Sequence, residues 1–313
     1  VILTVTLNPA WDITHTVERL VPGATHRVGT VTEQPGGKGV NVSRVLSQLG
    51  HPTLATGLAA GPTGRRLRAE LAGAWVPEAF FSPGTGTADT RRTVTVVEND
   101  SGRATVLTEP GPAAGSVDWP ALLEHLDSLL AGAAVVVLTG SLPPGVPPDA
   151  YRTLVRHAHA RNVPAIVDAD GPALVHALDS GPDLVKPNTD ELGAATGHRD
   201  PVTGGRRLLR SGAGRVVVSD GPAGLTGLDA GAAWRAVPAP LRPVNPTGAG
   251  DAAVAALAVG LAAGHDWPDL LRTATAWSAA AVLEPRAGVV AADRIEALAR
   301  TVTVTAVQSA PIH

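Results

Sequence analysis

The feature that most constrains the fold of this chain is a repeated exchange of hydrophobic period. Short β-branched runs alternate with longer stretches in which apolar residues recur every three or four positions. VILTVTL (1–7), TLATGL (53–58), AVVVLTG (134–140), PAIVDAD (164–170), DLVKPN (183–188) and GRVVVSDG (214–221) read as strands. Residues 38–49, 64–73, 148–160, 171–178, 189–196, 248–264 and 269–283 read as helices. In the first helix Val40, Val42, Val45, Leu46 and Leu49 form one apolar stripe. Such β-α alternation predicts an α/β fold, doubly wound, with a mostly parallel sheet and helices on both faces. Hydrophobic residues make up 44% of the chain but aromatics only 3%, so the core must be built from Ala, Val and Leu. Parallel strands buried under Ala-rich helices have that composition.

Two segments break the rhythm. Residues 12–33 and 88–108 alternate with period 2 and hold no helix, and NDSG in the second lies between two β runs, as in a hairpin. They predict a small antiparallel β-sheet lid over the C-terminal edge of the core strands. The expected organisation is one domain over residues 1–313 with this lid inserted in it. TVTVTAV (301–307) is expected to be a last edge strand.

Several function classes are disfavoured. A formal net charge of −3 provides no electrostatic footprint for nucleic acid or an anionic membrane. The absence of cysteine removes disulfides, thiolate metal sites and a Cys nucleophile. The first residues lack a basic region and break at Asn8-Pro9, unlike a signal peptide. The longest apolar run, AAVAALAVGLAAG, falls short of the roughly 20 residues a membrane helix needs. A soluble cytoplasmic protein is the expectation.

Chemistry concentrates in a few turns. VNPTGAGDAAVAAL (244–257) sets a small-residue turn, Thr247-Gly248-Ala249-Gly250, directly before a helix beginning near Asp251. Converging N–H groups and the positive helix end make an anion hole for a phosphoryl group. A carboxylate there suits a base that takes a proton from an attacking hydroxyl beside that hole, while a plain helix cap is the competing reading. In QPGGKGVNVSRV (34–45), Gly36, Gly37 and Gly39 surround Lys38, one of only two lysines in the chain. That turn also suits an anion, with Asn41 one turn on, although a solvated surface lysine fits as well. It is not the GxxxxGK[ST] phosphate loop. The second lysine, Lys186, ends a strand in LVKPNTDEL (184–192). There Asn188 and Glu191, three apart, suit a capping box, a water-mediated Mg²⁺ site, or both. VVVSDGPAGL (216–225) suits a hairpin or a loop against a nucleotide. LTGSLPPGVP (138–147) and TEPGP (108–112) say only loop.

The motifs LNPAWD, PGGKGVNVSRVLSQLG, TEPGP, TGSLPPGVP, VKPNTDEL, VVVSDGPAGL and NPTGAGDA follow one another from residue 7 to about 252. In that order they resemble the ribokinase-like, pfkB-type carbohydrate kinases. More narrowly they resemble the phosphohexose branch that holds 1-phosphofructokinase and tagatose-6-phosphate kinase. The resemblance implies an ATP-dependent kinase with Asp251 as catalytic base and the amides of Gly248, Ala249 and Gly250 around the γ-phosphoryl. It implies that Asn188 and Glu191 help hold Mg²⁺ and the triphosphate, with Lys186 and Thr247 on the nucleotide side and Ser219, Gly221 and Gly224 lining the ATP loop. Asp12, Gly37 and Asn41 are similar to sugar-hydroxyl contacts, Lys38 with Arg91 to a grip on the phosphate already on the substrate, and Ser141 to a further sugar or phosphate contact. ATP and Mg²⁺ are the implied cofactors, with K⁺ a candidate activator, and the family's lid often pairs subunits into a homodimer.

Three positions depart from the family pattern. Asp220 stands where the ATP loop usually has a neutral residue, Ala60 where a second Gly is common, and Thr93 where Asn is frequent. The expected reaction makes a bisphosphate, from fructose-1-phosphate at its 6-hydroxyl or from tagatose-6-phosphate at its 1-hydroxyl. The NPTG start leans slightly to the latter. A kinase of an unphosphorylated sugar or nucleoside is the runner-up, and a catalytically silent sensor would require a broken TGAGD, which is intact.

Overall fold

The structure, a computed structural model, describes residues 1–82, 88–113 and 115–307. β1 (Ile2–Thr6) is followed by β2 (Ala10–Val17), β3 (Thr30–Gly36), α1 (Lys38–Gln48), β4 (Thr53–Leu58), α2 (Gly61–Gly73) and β5 (Glu78–Phe81). Then come β6 (Arg91–Glu98), β7 (Ala104–Thr108), α3 (Trp119–Leu130), β8 (Val135–Thr139), α4 (Ala150–His159), β9 (Ala165–Asp168), α5 (Gly171–Leu178), β10 (Leu184–Val185), α6 (Thr189–Thr196) and α7 (Pro201–Arg210). The remaining elements are β11 (Val216–Ser219), β12 (Leu225–Leu228), β13 (Ala233–Val237), α8 (Ala249–Ala263), α9 (Trp267–Ala281), α10 (Ile295–Thr301) and β14 (Thr303–Ala306).

Ten strands form the main sheet, in the order β14-β13-β12-β11-β10-β9-β8-β1-β4-β5. Strands β5 to β11 of that order pair in parallel, and β12, β13 and β14 add antiparallel strands at one side. The sheet is mostly parallel, as expected, and β14 is its edge strand. Period-2 alternation sends neighbouring residues to opposite faces. On β1, Leu3 and Val5 join a core with Leu122, Leu126, Tyr151 and Leu154, whereas Ile2 joins one with Val45, Leu46, Leu257 and Trp277. Helices therefore cover both faces. A smaller cluster under α2 holds Trp11, Val40, Leu67 and Phe80.

α8 is apolar all round because it lies between the sheet and α9, so no side of it needs to face water. No helix among the described residues is long and apolar enough to cross a membrane.

The small sheet has the order β3-β2-β6-β7. Both hairpins, β2–β3 and β6–β7, are antiparallel as expected. They meet through a pairing that is parallel from Ala10↔Arg91 to Val17↔Glu98, so the sheet is not antiparallel throughout. The reason is positional: β2 and β6 begin side by side and run in the same direction. The expected boundaries also shift. β2 begins at Ala10, and β3 runs to Gly36, directly into the glycine turn before α1.

Candidate active site

The turn before α8 closes against the segment that follows α9. Gly248 adopts φ 88°, in the left-handed region, and a Cβ there would meet Ala287 Cα at 3.0 Å, so glycine is required on both counts. The Thr247 amide donates to Asn245 Oδ1 at 2.9 Å, and Asn245 Nδ2 donates to the Pro285 carbonyl at 3.0 Å. Asp251 lies in the first turn of α8, only 7% exposed. Asn41 of α1 donates from Nδ2 to Asp251 Oδ2 at 2.8 Å. Burial pushes the Asp251 carboxyl up to about 6, helped by the Asp168 charge and opposed by the Asn41 bond, Lys38 and Lys186. Oδ1 of Asn41 is buried without a partner among the described residues, an acceptor free for a hydroxyl.

Both lysines converge on one carboxylate. Asp168, at the end of β9 and 1% exposed, faces Lys186 Nζ at 3.3 Å through Oδ1 and Lys38 Nζ at 3.6 Å through Oδ2. Thr139 Oγ1 donates to Asp168 Oδ2 at 3.1 Å. Burial alone would raise the Asp168 carboxyl, but Lys186 and Lys38 outweigh it and hold it below the usual range. Burial likewise acts to lower the Lys38 ammonium, but the carboxylates of Asp168, Glu191 and Asp251 raise it above the usual lysine range. Asp168 is a functional candidate that motif reading missed. Its available signal was an acid at the C-terminal end of a buried parallel strand, where ligand crevices of open α/β sheets lie.

α6 begins with the capping box the sequence suggested. Asn188 Oδ1 accepts from the Glu191 amide at 2.8 Å, and Glu191 Oε2 accepts from the Asn188 amide at 2.8 Å. The other oxygen, Oε1, stays out of the box and faces Lys38 Nζ at 3.7 Å. No group of three His, Cys, Asp or Glu among the described residues could hold a metal by itself. The donor set nevertheless fits Mg²⁺, which keeps several waters and takes few protein carboxylates when substrate phosphates supply the rest.

At the other end of the site, Asp12 on β2 stands opposite Thr93 on β6. Burial pushes its carboxyl up to about 6, against Arg91, Thr93 and Arg44. A Cβ on Gly36 would lie 1.9 Å from Asp12 Oδ2, so the glycine turn makes room for that carboxylate. Arg91 Nε donates to the Asn8 carbonyl at 3.1 Å. Asn8 Nδ2 in turn donates to the Pro110 carbonyl and to Ser141 Oγ, both at 3.1 Å, which joins the TEPGP and TGSLPPG turns to LNPAWD.

One cavity of roughly 950 Å³ runs between these groups, within the usual range for a ligand site. Its lining includes Asp12, Gly37, Lys38, Asn41 and Arg91 at one end and Gly248, Ala249, Gly250 and Asp251 in the middle. Lys186, Asn188, Glu191, Ser219, Gly221, Gly224 and Thr247 continue it. Of the residues to which the resemblance assigns a site role, only Ser141 is not part of the wall; it is exposed and bonded to Asn8. The VVVSDGPAGL segment is both hairpin and cavity wall, since β11 and β12 pair antiparallel on either side of it. A proline-rich stretch through Pro238, Pro240 and Pro243, which no motif signalled, closes the far end.

The chain belongs to the pfkB family of carbohydrate kinases: the family model described as "pfkB family carbohydrate kinase" matches residues 5–293. It is an ATP-dependent carbohydrate kinase. Among its relatives, a 1-phosphofructokinase of Rhodobacter capsulatus is 39% identical over 311 residues, 97% of each chain. Phosphofructokinase-2 from Escherichia coli, in complex with potassium, superposes with a TM-score of 0.88 at 32% identity, covering 96% of this chain and 98% of that one. That enzyme is also known bound to fructose-6-phosphate and as an inhibited tetramer. Arabidopsis thaliana ribokinase complexed with ribose and ATP shares the fold, with a TM-score of 0.80 at 23% identity over 96% of this chain and 98% of that one.

Proposed function

We propose that this chain transfers the γ-phosphoryl of ATP to the 6-hydroxyl of fructose-1-phosphate. The observation that carries the reaction is the buried Asp251 carboxylate, held by Asn41 at the N-terminus of α8 between the Asp12–Arg91 end and the Lys186–Ser219 end of one cavity. The choice of substrate is supported by the 39% identity to a 1-phosphofructokinase along nearly the whole of both chains.

In this reading the sugar lies against Asp12 and Asn41, with its own phosphate near Arg91. Asp251 accepts the proton of the attacking hydroxyl, and a pKa of about 6 keeps it mostly ionised at neutral pH. The amides of Gly248, Ala249 and Gly250 stabilise the transferring group, and positioning with electrostatics supplies most of the acceleration. Lys38 takes a different role from the one its motif implies. Its ammonium lies by Asp168 and Glu191 and is pulled by Asp251, which favours contact with the transferring phosphoryl over the substrate's own phosphate. Lys186 stands beside the triphosphate. Mg²⁺, when bound, neutralises polyphosphate charge, and Glu191 would hold it through Oε1 and water.

The small sheet is proposed as a lid that also joins two subunits. All of β7 is exposed, with Val106 and Leu107 each more than half exposed on it, as is Val31 on β3 at the other edge of the sheet. An open strand row with apolar side chains is suited to pairing with a second copy.

A coupled ADP-release assay tests the assignment against fructose-1-phosphate, fructose-6-phosphate, tagatose-6-phosphate and free fructose, with and without K⁺. The expected result is the highest kcat/KM with fructose-1-phosphate. Preference for another sugar phosphate would overturn the substrate, and preference for free fructose would favour the runner-up class.

A further inference from the structure

We propose that Asp220 reads the ribose of the nucleotide, its carboxylate accepting hydrogen bonds from the 2′- and 3′-hydroxyls. This rests on the reading above that ATP occupies the Lys186–Ser219 end of the cavity. Asp220 is half-buried in the cavity wall, and its carboxylate forms no hydrogen bond or ion pair with another described residue. Its backbone is held: the Asp220 amide donates to the Gly224 carbonyl at 3.0 Å, and the Ala223 amide donates to the Asp220 carbonyl at 2.9 Å. The held main chain limits where this acceptor-only side chain can reach along the cavity wall.

The order of groups along the wall selects the donors. Ser219 bridges to Asn188, which brings Asp220 one residue from the helix start assigned to the triphosphate. The same wall carries apolar residues, among them Pro222, Pro238, Leu241, Ala279 and Val282, a surface suited to a flat base. Between phosphates and base lies the sugar. An ionised carboxylate only accepts, so it is repelled by phosphate oxygens and matched by a vicinal diol, which offers two adjacent O–H donors. A carboxylate contacts ribose hydroxyls in the same chemical way in dinucleotide-binding folds. A carboxylate on the base edge would instead favour the two adjacent N–H donors of guanine, an outcome the test separates.

The test compares kcat/KM for ATP, 2′-deoxy-ATP, 3′-deoxy-ATP and GTP in the native enzyme, Asp220→Ala and Asp220→Asn, with sugar phosphate saturating. Hydrogen bonds to a charged group predict that the native enzyme loses roughly tenfold or more with each deoxy analogue. In Asp220→Ala the ATP to deoxy-ATP ratio should fall towards one, with Asp220→Asn between. A structural effect of substitution would lower all nucleotides together and leave the ratio intact, which would overturn the inference. Native discrimination against GTP that disappears in the variants, with deoxy-ATP used as well as ATP throughout, would overturn it in favour of base reading. Failure of the native enzyme to use ATP with any sugar phosphate would overturn the sugar-phosphate reading on which the inference rests, a result distinct from both.

Discussion

Asn41 and Asp251 lie 210 positions apart in the chain and share a 2.8 Å hydrogen bond, with Asn41 Nδ2 as donor. The bond favours the charged carboxylate, while burial and the Asp168 charge oppose it, and the balance sits at about 6.

That balance sets an acid limb. Asp251 must be ionised to accept a proton, so kcat/KM should fall as pH drops through about 6. Asp12 is also pushed up to about 6, so the limb of the free enzyme should be steeper than for one proton. Asn41→Leu removes the bond that favours the charge and should move the Asp251 limb to higher pH. A profile left unchanged by Asn41→Leu would remove Asp251 as the titrating base.

Asp251→Asn should lower kcat by roughly 10²–10⁴ while sugar-phosphate binding by calorimetry persists. The same variant should melt higher than the native protein at pH 7. An acid whose folded pKa is raised is favoured when protonated, so its stabilisation is full below 3.8 and is lost as pH rises through about 6. The gain in Tm should therefore close towards pH 4.

Lys38→Ala and Arg91→Ala should give crossed kinetics. Lys38, beside Asp168 and Glu191, is expected to lower kcat by roughly 10²–10³ when truncated, as loss of a transition-state donor does. Arg91, which is bonded to Asn8 and faces Asp12, is expected to raise KM for the sugar phosphate instead. A rise in sugar-phosphate KM alone for Lys38→Ala would return that lysine to the role its motif implies.

Asp168→Ala leaves two lysines without their shared buried partner. Removing one member of a buried ion pair costs about 3–5 kcal/mol, and Lys186 is 4% exposed. Denaturant melts should show a loss of that order, and an unchanged midpoint would mean that solvent or other groups satisfy both ammoniums.

Leu107→Asp on the exposed β7 strand should convert a dimer to a monomer in sedimentation velocity. A native protein that sediments as a monomer at micromolar concentration would remove the lid interface.

Much of this was legible in sequence because it is local. Hydrophobic period depends on residues a few positions apart, so GPALVHAL predicted α5 with the boundaries found, and Asn188 with Glu191 predicted a capping box that is present. Other elements were not read: β5, β12 and β13, α7, which buries only Gly204, Gly205 and Leu208, and α3, although Leu122, Leu126 and Leu130 give it one buried face.

By itself the sequence determined the parallel α/β plan, the turns that face the cavity and the identity of the base candidate, since each depends on neighbours along the chain. Only the tertiary structure decided what those turns face. Parallel pairing of Val185 with Val167 carries Lys186 to the neighbourhood of Asp168, and pairing of Thr139 with Asp168 adds a hydroxyl from the other side. Lys38 then reaches the same carboxylate from the glycine turn at the end of the small sheet, a sheet whose two hairpins join in parallel because they begin side by side. Strand register and the packing of α1 against α8 set these meetings, and neither is written in the spacing of residues 38, 168 and 186.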